Sequence, residues 1–143
     1  RPKKMKFKKC HKGFFPVRTG GSLRGTTVIK GEYGLQVIEG GRLSDTQIDV
    51  ARALAKRCLK GEKNVEVVLR CFPDRPYIVP FNSSVSKKAA ETRMGKGKGS
   101  VEYFATWLAE GRVVLEIQGA RPELAQRALI IAGNALPLRT RVI

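Results

Sequence analysis

From Thr26 onward the apolar positions fall into short periodic runs separated by glycines and prolines. Thr26–Lys30 and Tyr33–Glu39 are rich in β-branched residues and predict two strands joined near Gly31. Gly40 and Gly41 break that run. Ser44 has the character of an N-cap, and Gln47, three residues on, completes a capping box. Ile48, Ala51, Leu54, Ala55, Cys58 and Leu59 then recur at helical spacing, and Gly61 suits the C′ position of that helix. Its opposite face carries Arg52, Lys56, Arg57 and Lys60.

Val65, Val67, Leu69 and Cys71 alternate with Glu66, Val68, Arg70 and Phe72, which predicts a further strand ending at Phe72-Pro73-Asp74. Residues 73–100 show no periodicity, and compact domains seldom keep so long a loop unless it is functional or disordered. Val101–Leu108 and Arg112–Gln118 predict a hairpin turning at Glu110-Gly111. Pro122 opens a second helix where its missing N–H costs nothing. That helix has a buried stripe of Leu124, Ala128, Ile131, Ala132 and Ala135, and it stops before Pro137. Leu138–Val142 predicts a last strand. The order β-β-α-β-β-β-α-β implies an α+β fold: a single domain with a mixed or antiparallel sheet and two helices on one face. A chain of 143 residues suffices for one such core, and it shows no internal repeat.

Charge changes this picture. Twenty-eight Lys and Arg against twelve Asp and Glu leave a net +16, which opposes compaction unless a polyanion neutralises it. Nucleic acid is the commonest such partner. A membrane is disfavoured, because no apolar run approaches the roughly 20 residues that span a bilayer. Residues 1–31 hold ten basic residues and no acidic one, together with Gly13, Pro16, Gly20, Gly21 and Gly25. Residues 1–25 therefore form a basic extension to a domain at 26–143. A solvated tail is the bland alternative, but Phe7, Phe14, Phe15 and Val17 among the charges favour ordering on a surface. Cys10, Cys58 and Cys71 are too few and too scattered for a disulfide framework and suit a reducing compartment.

Candidate catalytic groups are scarce. His11 is the sole histidine and lies in the extension, so no nucleophile, base and acid set assembles. Cys10 and His11 are adjacent and poorly placed to share a metal with two distant cysteines that fall on predicted core faces. The chain is expected to be no enzyme and to carry neither metal nor cofactor. The strongest constellation is Arg93-Met94-Gly95-Lys96-Gly97-Lys98-Gly99. Its glycines allow close backbone approach to another polymer, its lysines supply mobile charge, and Arg93 can grip a phosphate or stack on a base. A mononucleotide P-loop is excluded, since Gly99-Ser100 lacks the intervening Lys and a strand follows. A plain solvated loop remains open. Tyr103 and Trp107 share strand parity, which suits core packing and also suits a base-stacking platform on a free-standing RNA-binding module.

These features resemble the bacterial and organellar ribosomal protein family called L-sixteen. The match includes Lys6-Phe7-Lys8-Lys9 with His11-Lys12-Gly13, Tyr33-Gly34-Leu35, Gly41-Arg42-Leu43 with Gln47-Ile48, and Phe72-Pro73-Asp74 with Pro76. It continues through Arg93–Gly99, Glu102-Tyr103, Gly111-Arg112-Val113, Pro122-Glu123-Leu124-Ala125 and Ala135-Leu136-Pro137, in the family's order and across nearly the whole chain.

The resemblance implies a protein that binds large-subunit rRNA beside the aminoacyl-tRNA site, among neighbouring ribosomal proteins. The loop Arg93–Gly99 would reach toward the peptidyl transferase centre and the tRNA acceptor arms. The segment Lys3–Lys12 would thread among RNA helices. Candidate rRNA-binding residues are Lys3, Lys4, Lys6, Lys8, Lys9, His11, Lys12, Arg18, Arg24, Arg42, Arg52 and Lys56. Arg93, Met94, Gly95, Lys96, Gly97, Lys98 and Gly99 form the tRNA-proximal loop. The stretch Tyr77–Thr92 is longer than the usual bacterial form, with an added polar piece at Asn82-Ser83-Ser84. Phe14-Phe15 followed by residues 16–22 looks more like mitochondrial members. Together with a chain that starts at Arg1, this gives the expectation of a mitochondrial ribosome, with a bacterial cytoplasm or a plastid as alternatives.

Overall fold

The computed structural model describes residues 2–6, 8–10, 23–78, 95 and 99–143. Among the described residues seven strands and two helices follow one another as β1 (Tyr33–Val37), β2 (Gly41–Ser44), α1 (Asp45–Cys58), β3 (Glu66–Leu69), β4 (Arg75–Ile78), β5 (Val101–Leu108), β6 (Val113–Gln118), α2 (Pro122–Asn134) and β7 (Thr140–Val142). They make two open antiparallel sheets, one in the order β3-β6-β1-β7 and one in the order β2-β5-β4. The α+β class and the two helices agree with the sequence. The single sheet does not.

The helices begin as their sequences dictate. The Ser44 hydroxyl accepts from the Gln47 N–H while the Gln47 side chain accepts from the Ser44 N–H, so two otherwise orphaned donors are satisfied at once. Asp45 sits in the first turn and Lys56 and Arg57 in the last, matching the helix dipole. Leu59 rather than a glycine caps the C-terminus. Pro122 opens α2 without a side-chain cap, as its own geometry permits. The buried side of α2 is Ala125, Ala128, Leu129, Ala132 and Gly133, so Leu124, Ile131 and Ala135 lie at the flank of the predicted stripe. Small residues here let α2 lie close to α1 and to β1 and β7. A Cβ on Gly133 would run into the Thr140 hydroxyl.

Leu35, Val37, Val67, Leu115 and Ile117 bring one face of the larger sheet to the helices, and Leu43 and Leu108 extend the same core into the smaller sheet. The opposite face is polar. Register places Gly34 and Val68 either side of Glu116, and Gln36 beside Arg141. Residues Thr26–Lys30, predicted as a strand, form instead a loop along this face, with its backbone donors directed at a carboxylate. The Ile29, Lys30 and Gly31 N–H groups donate to Glu116 at 3.2, 2.8 and 3.0 Å. The Gln36 side chain tethers the other end, where its Nε2 donates to the Thr26 and Gly111 carbonyls. Gly34 leaves room for the loop, since a Cβ there would stand 2.7 Å from Val28 Cγ2.

Two further expectations need correction. Gly40-Gly41 breaks β1 but does not end strand structure, because Gly41–Ser44 pairs with Ala105–Leu108. The turn at Glu110-Gly111 exists, with Gly111 at φ +81°, yet β5 and β6 do not form a hairpin. The Gly111 N–H donates to the Val37 carbonyl, and the chain crosses to pair with β1 while β5 keeps β2 and β4. Inside the long predicted loop, Arg75–Ile78 is a strand, and the Cys10 N–H donates to the Pro76 carbonyl at 2.9 Å along its outer edge.

Candidate nucleic-acid interface

The smaller sheet turns an unusual face away from the core. Register sets Arg42 opposite Trp107 and Tyr77 opposite Tyr103. The Arg42 guanidinium lies 4.9, 5.7 and 6.0 Å from the ring centres of Tyr77, Tyr103 and Trp107. The two tyrosine rings stack at 5.5 Å, and the Trp107 indole N–H donates to the Tyr77 hydroxyl at 2.7 Å. The ring quadrupoles attract the guanidinium charge, and each such contact is worth about 0.5–1 kcal/mol. Tyr103 and Trp107 thus pack in a cation–aromatic cluster outside the main core, with Tyr77 buried beneath them. Burial raises the Tyr103 phenol above its ordinary pKa, opposed by the nearby Arg42 charge. Sequence periodicity does not single out Tyr77, because β4 is only four residues long and begins Arg75-Pro76.

On the other sheet, Glu116 is wholly buried and carries a charge. Burial alone would raise its pKa, but the N–H groups of Lys30, Gly31 and Ile29 and the Arg70 guanidinium outweigh it and hold the carboxyl below its usual range. Arg70 Nη1 approaches Glu116 Oε1 at 3.2 Å. This pair lies at the start of the connection from β3 to β4, which carries Phe72. Cys71 beside it is buried, and desolvation pushes its thiol up to about 12 despite its own backbone hydrogen bond and the Arg112 charge.

The remaining predicted residues are distributed widely. Lys3, Lys4, Lys6, Lys8, Lys9 and Arg24 are exposed, as is Lys56 on α1. Arg52 is half-buried, and its Nε has no hydrogen-bond partner among the described residues. Arg42 lies within the aromatic cluster. Gly95 and Gly99 are exposed, and Gly95 adopts φ +94°, a conformation that favours glycine. His11, Lys12, Arg18, Arg93, Met94, Lys96, Gly97 and Lys98 lie outside the described residues. Among the described residues no cluster of His, Cys, Asp and Glu could hold a metal, and no helix is long and apolar enough to cross a membrane.

Basic side chains thus lie on the described part of residues 2–10, on α1 and on the smaller sheet. The pattern of the ribosomal protein L16p/L10e family matches residues 2–143. The chain belongs to this family. Its relatives include proteins named large ribosomal subunit protein uL16 from Rickettsia peacockii (strain Rustic) and Rickettsia felis, each 44% identical over 99% of this chain and 95% of theirs. That from Rickettsia bellii (strain OSU 85-389) is 43% identical over the same shares. Membership of a ribosomal protein family is membership of a structural, non-catalytic class, in line with the scarcity of catalytic groups in the sequence.

Proposed function

We propose that this L16p/L10e protein is a structural constituent of the large ribosomal subunit that binds rRNA beside the aminoacyl-tRNA site and helps to position tRNA. The observation that carries this reading is the family match along residues 2–143, from the basic extension to the last strand. The charge of +16 supports it, since packed RNA supplies the counter-charge that the free chain lacks.

In this account the extension at residues 1–25, including Lys3, Lys4, Lys6, Lys8, Lys9, His11, Lys12, Arg18 and Arg24, threads among RNA helices. The domain at 26–143 presents Arg52 and Lys56 of α1 to phosphate. Arg42 adds its charge on the smaller sheet. Gly95 and Gly99 bound the lysines of the loop Arg93–Gly99, which reaches toward the peptidyl transferase centre and the acceptor ends of tRNA. The chemistry of peptide transfer belongs to RNA, and this chain contributes placement. Neighbouring ribosomal proteins are its protein partners. A mitochondrial ribosome is the proposed location, supported by the resemblance of Phe14-Phe15 and residues 16–22 to mitochondrial members, whereas the named relatives are bacterial.

Sedimentation tests the reading. The tagged chain should travel with the large subunit through a sucrose gradient and stay there after a moderate salt wash. Recovery only in ribosome-free fractions would overturn it.

A further inference from the structure

β4 pairs with β5 only as far as Ala105, so Thr106, Trp107 and Leu108 extend past its end. A cleft of about 370 Å³ opens there, between the β3–β4 connection and the start of β6. Arg70, Arg75 and Arg112 are among its lining residues, with Asp74 the one acidic residue beside them. Arg70 is anchored by Glu116, and the Arg112 side chain packs alongside Gly25, where a Cβ would stand 3.4 Å from its Nε. Two of the cationic walls are therefore held in place by the same face that carries the tethered loop. Trp107 and Phe72 supply aromatic surface, and Phe72 is 54% exposed, an uncommon position for so apolar a ring.

We infer that this cleft is a pocket for one unstacked RNA nucleotide, with its phosphate on Arg75 and Arg112 and its base against Phe72 and Trp107. The inference rests on the RNA-binding reading and specifies one site within it. The volume lies at the lower end of the roughly 300–1,000 Å³ of ligand pockets, which suits a single nucleotide and is too small for a duplex. Guanidinium groups grip phosphate bidentately, and aromatic rings stack on splayed bases, the combination by which single-stranded RNA is held. An acidic peptide would satisfy the arginines but would leave the exposed phenyl ring without a use.

Trp107 is the only tryptophan of the chain, so intrinsic fluorescence reads this pocket directly. The full chain would be titrated with a transcript of its own organism's large-subunit rRNA, with base-specific chemical footprinting in parallel. The expected result is saturable quenching and protection of an unpaired nucleotide. Phe72→Ala should weaken binding about tenfold, remove that protection and lose most of the quench. Arg112→Gln should lose the protection and lower the salt slope by roughly 0.7–0.9. A double change, Lys3→Ala with Lys4→Ala, should weaken binding while the quench at saturation stays unchanged. If Phe72→Ala and Arg75→Gln both keep the quench and the footprint, the pocket assignment is wrong and RNA binding stands. Quenching by poly-glutamate at concentrations where RNA gives none would assign the cleft to a protein segment instead. Absence of any binding by the unaltered chain would remove the RNA reading and the pocket together.

Discussion

Replacing Glu116 by glutamine tests the physical account of the fold at its most exacting point. The carboxylate is wholly buried and accepts from three backbone N–H groups and the Arg70 guanidinium. Glutamine has nearly the same shape but one acceptor oxygen, and it turns an N–H₂ donor toward groups that are themselves donors. Arg70 also keeps its charge in a side chain only 19% exposed, now without a counter-ion. Removing one partner of such a buried pair costs about 3–5 kcal/mol. At about 2–4 °C per kcal/mol for a chain somewhat larger than this one, the midpoint should fall by roughly 10 °C at pH 7.

The pH dependence carries the sign. The folded carboxyl has a lowered pKa, so its contribution is complete above the unfolded value of about 4.3 and is lost as pH falls through the folded value. Thermal unfolding of both full chains by circular dichroism, from pH 7 down to pH 3, should show a gap that narrows only at the acid end. Amide exchange should quicken first at Ile29, Lys30 and Gly31, whose N–H groups lose their acceptor. A midpoint within 1 °C of the parent at pH 7, or a gap that does not change with pH, would refute the reasoning.

Three further outcomes are expected. Gly31→Ala would set a Cβ 2.6 Å from the Ile117 backbone oxygen, which cannot swing aside, so it should cost about 1–3 kcal/mol in urea unfolding with an unchanged slope. Cys71, with its thiol pushed up to about 12 and its side chain buried, should be the last of the three cysteines to react with iodoacetamide at pH 8, as read by peptide mass spectrometry. Lys96→Ala with Lys98→Ala should impair tRNA accommodation more than subunit assembly, whereas neutralising Lys3 to Lys12 should impair assembly; equal assembly defects from both would contradict that division of labour.

Much of the local structure was legible in the sequence. The capping box at Ser44 and the start of α2 at Pro122 rest on interactions within a few residues and are present, whereas the alternation from Val65 to Phe72 yields a strand only over Glu66–Leu69. Pairing was less legible. Val101–Leu108 and Val113–Gln118 adjoin a real turn, yet each has both edges occupied by strands from elsewhere in the chain, and a turn residue cannot report that competition. Thr26–Lys30 has the composition of a strand, but a carboxylate 86 to 87 residues away captures the Ile29 and Lys30 donors. The cleft at Phe72 was invisible for the same reason, because Arg75, Trp107 and Arg112 meet only after two sheets have formed. The loop Arg93–Gly99, in contrast, announces itself by composition alone, through glycines alternating with long cations.

In the proposed role the chain lies against large-subunit rRNA with its glycine–lysine loop near tRNA. A photoactivatable crosslinker installed at Lys96, in translating ribosomes carrying the tagged chain, tests it most directly. The account predicts crosslinks to large-subunit rRNA and to the acceptor end of tRNA, the latter lost when tRNA is stripped away. Crosslinks confined to small-subunit rRNA, or to protein alone, would contradict it.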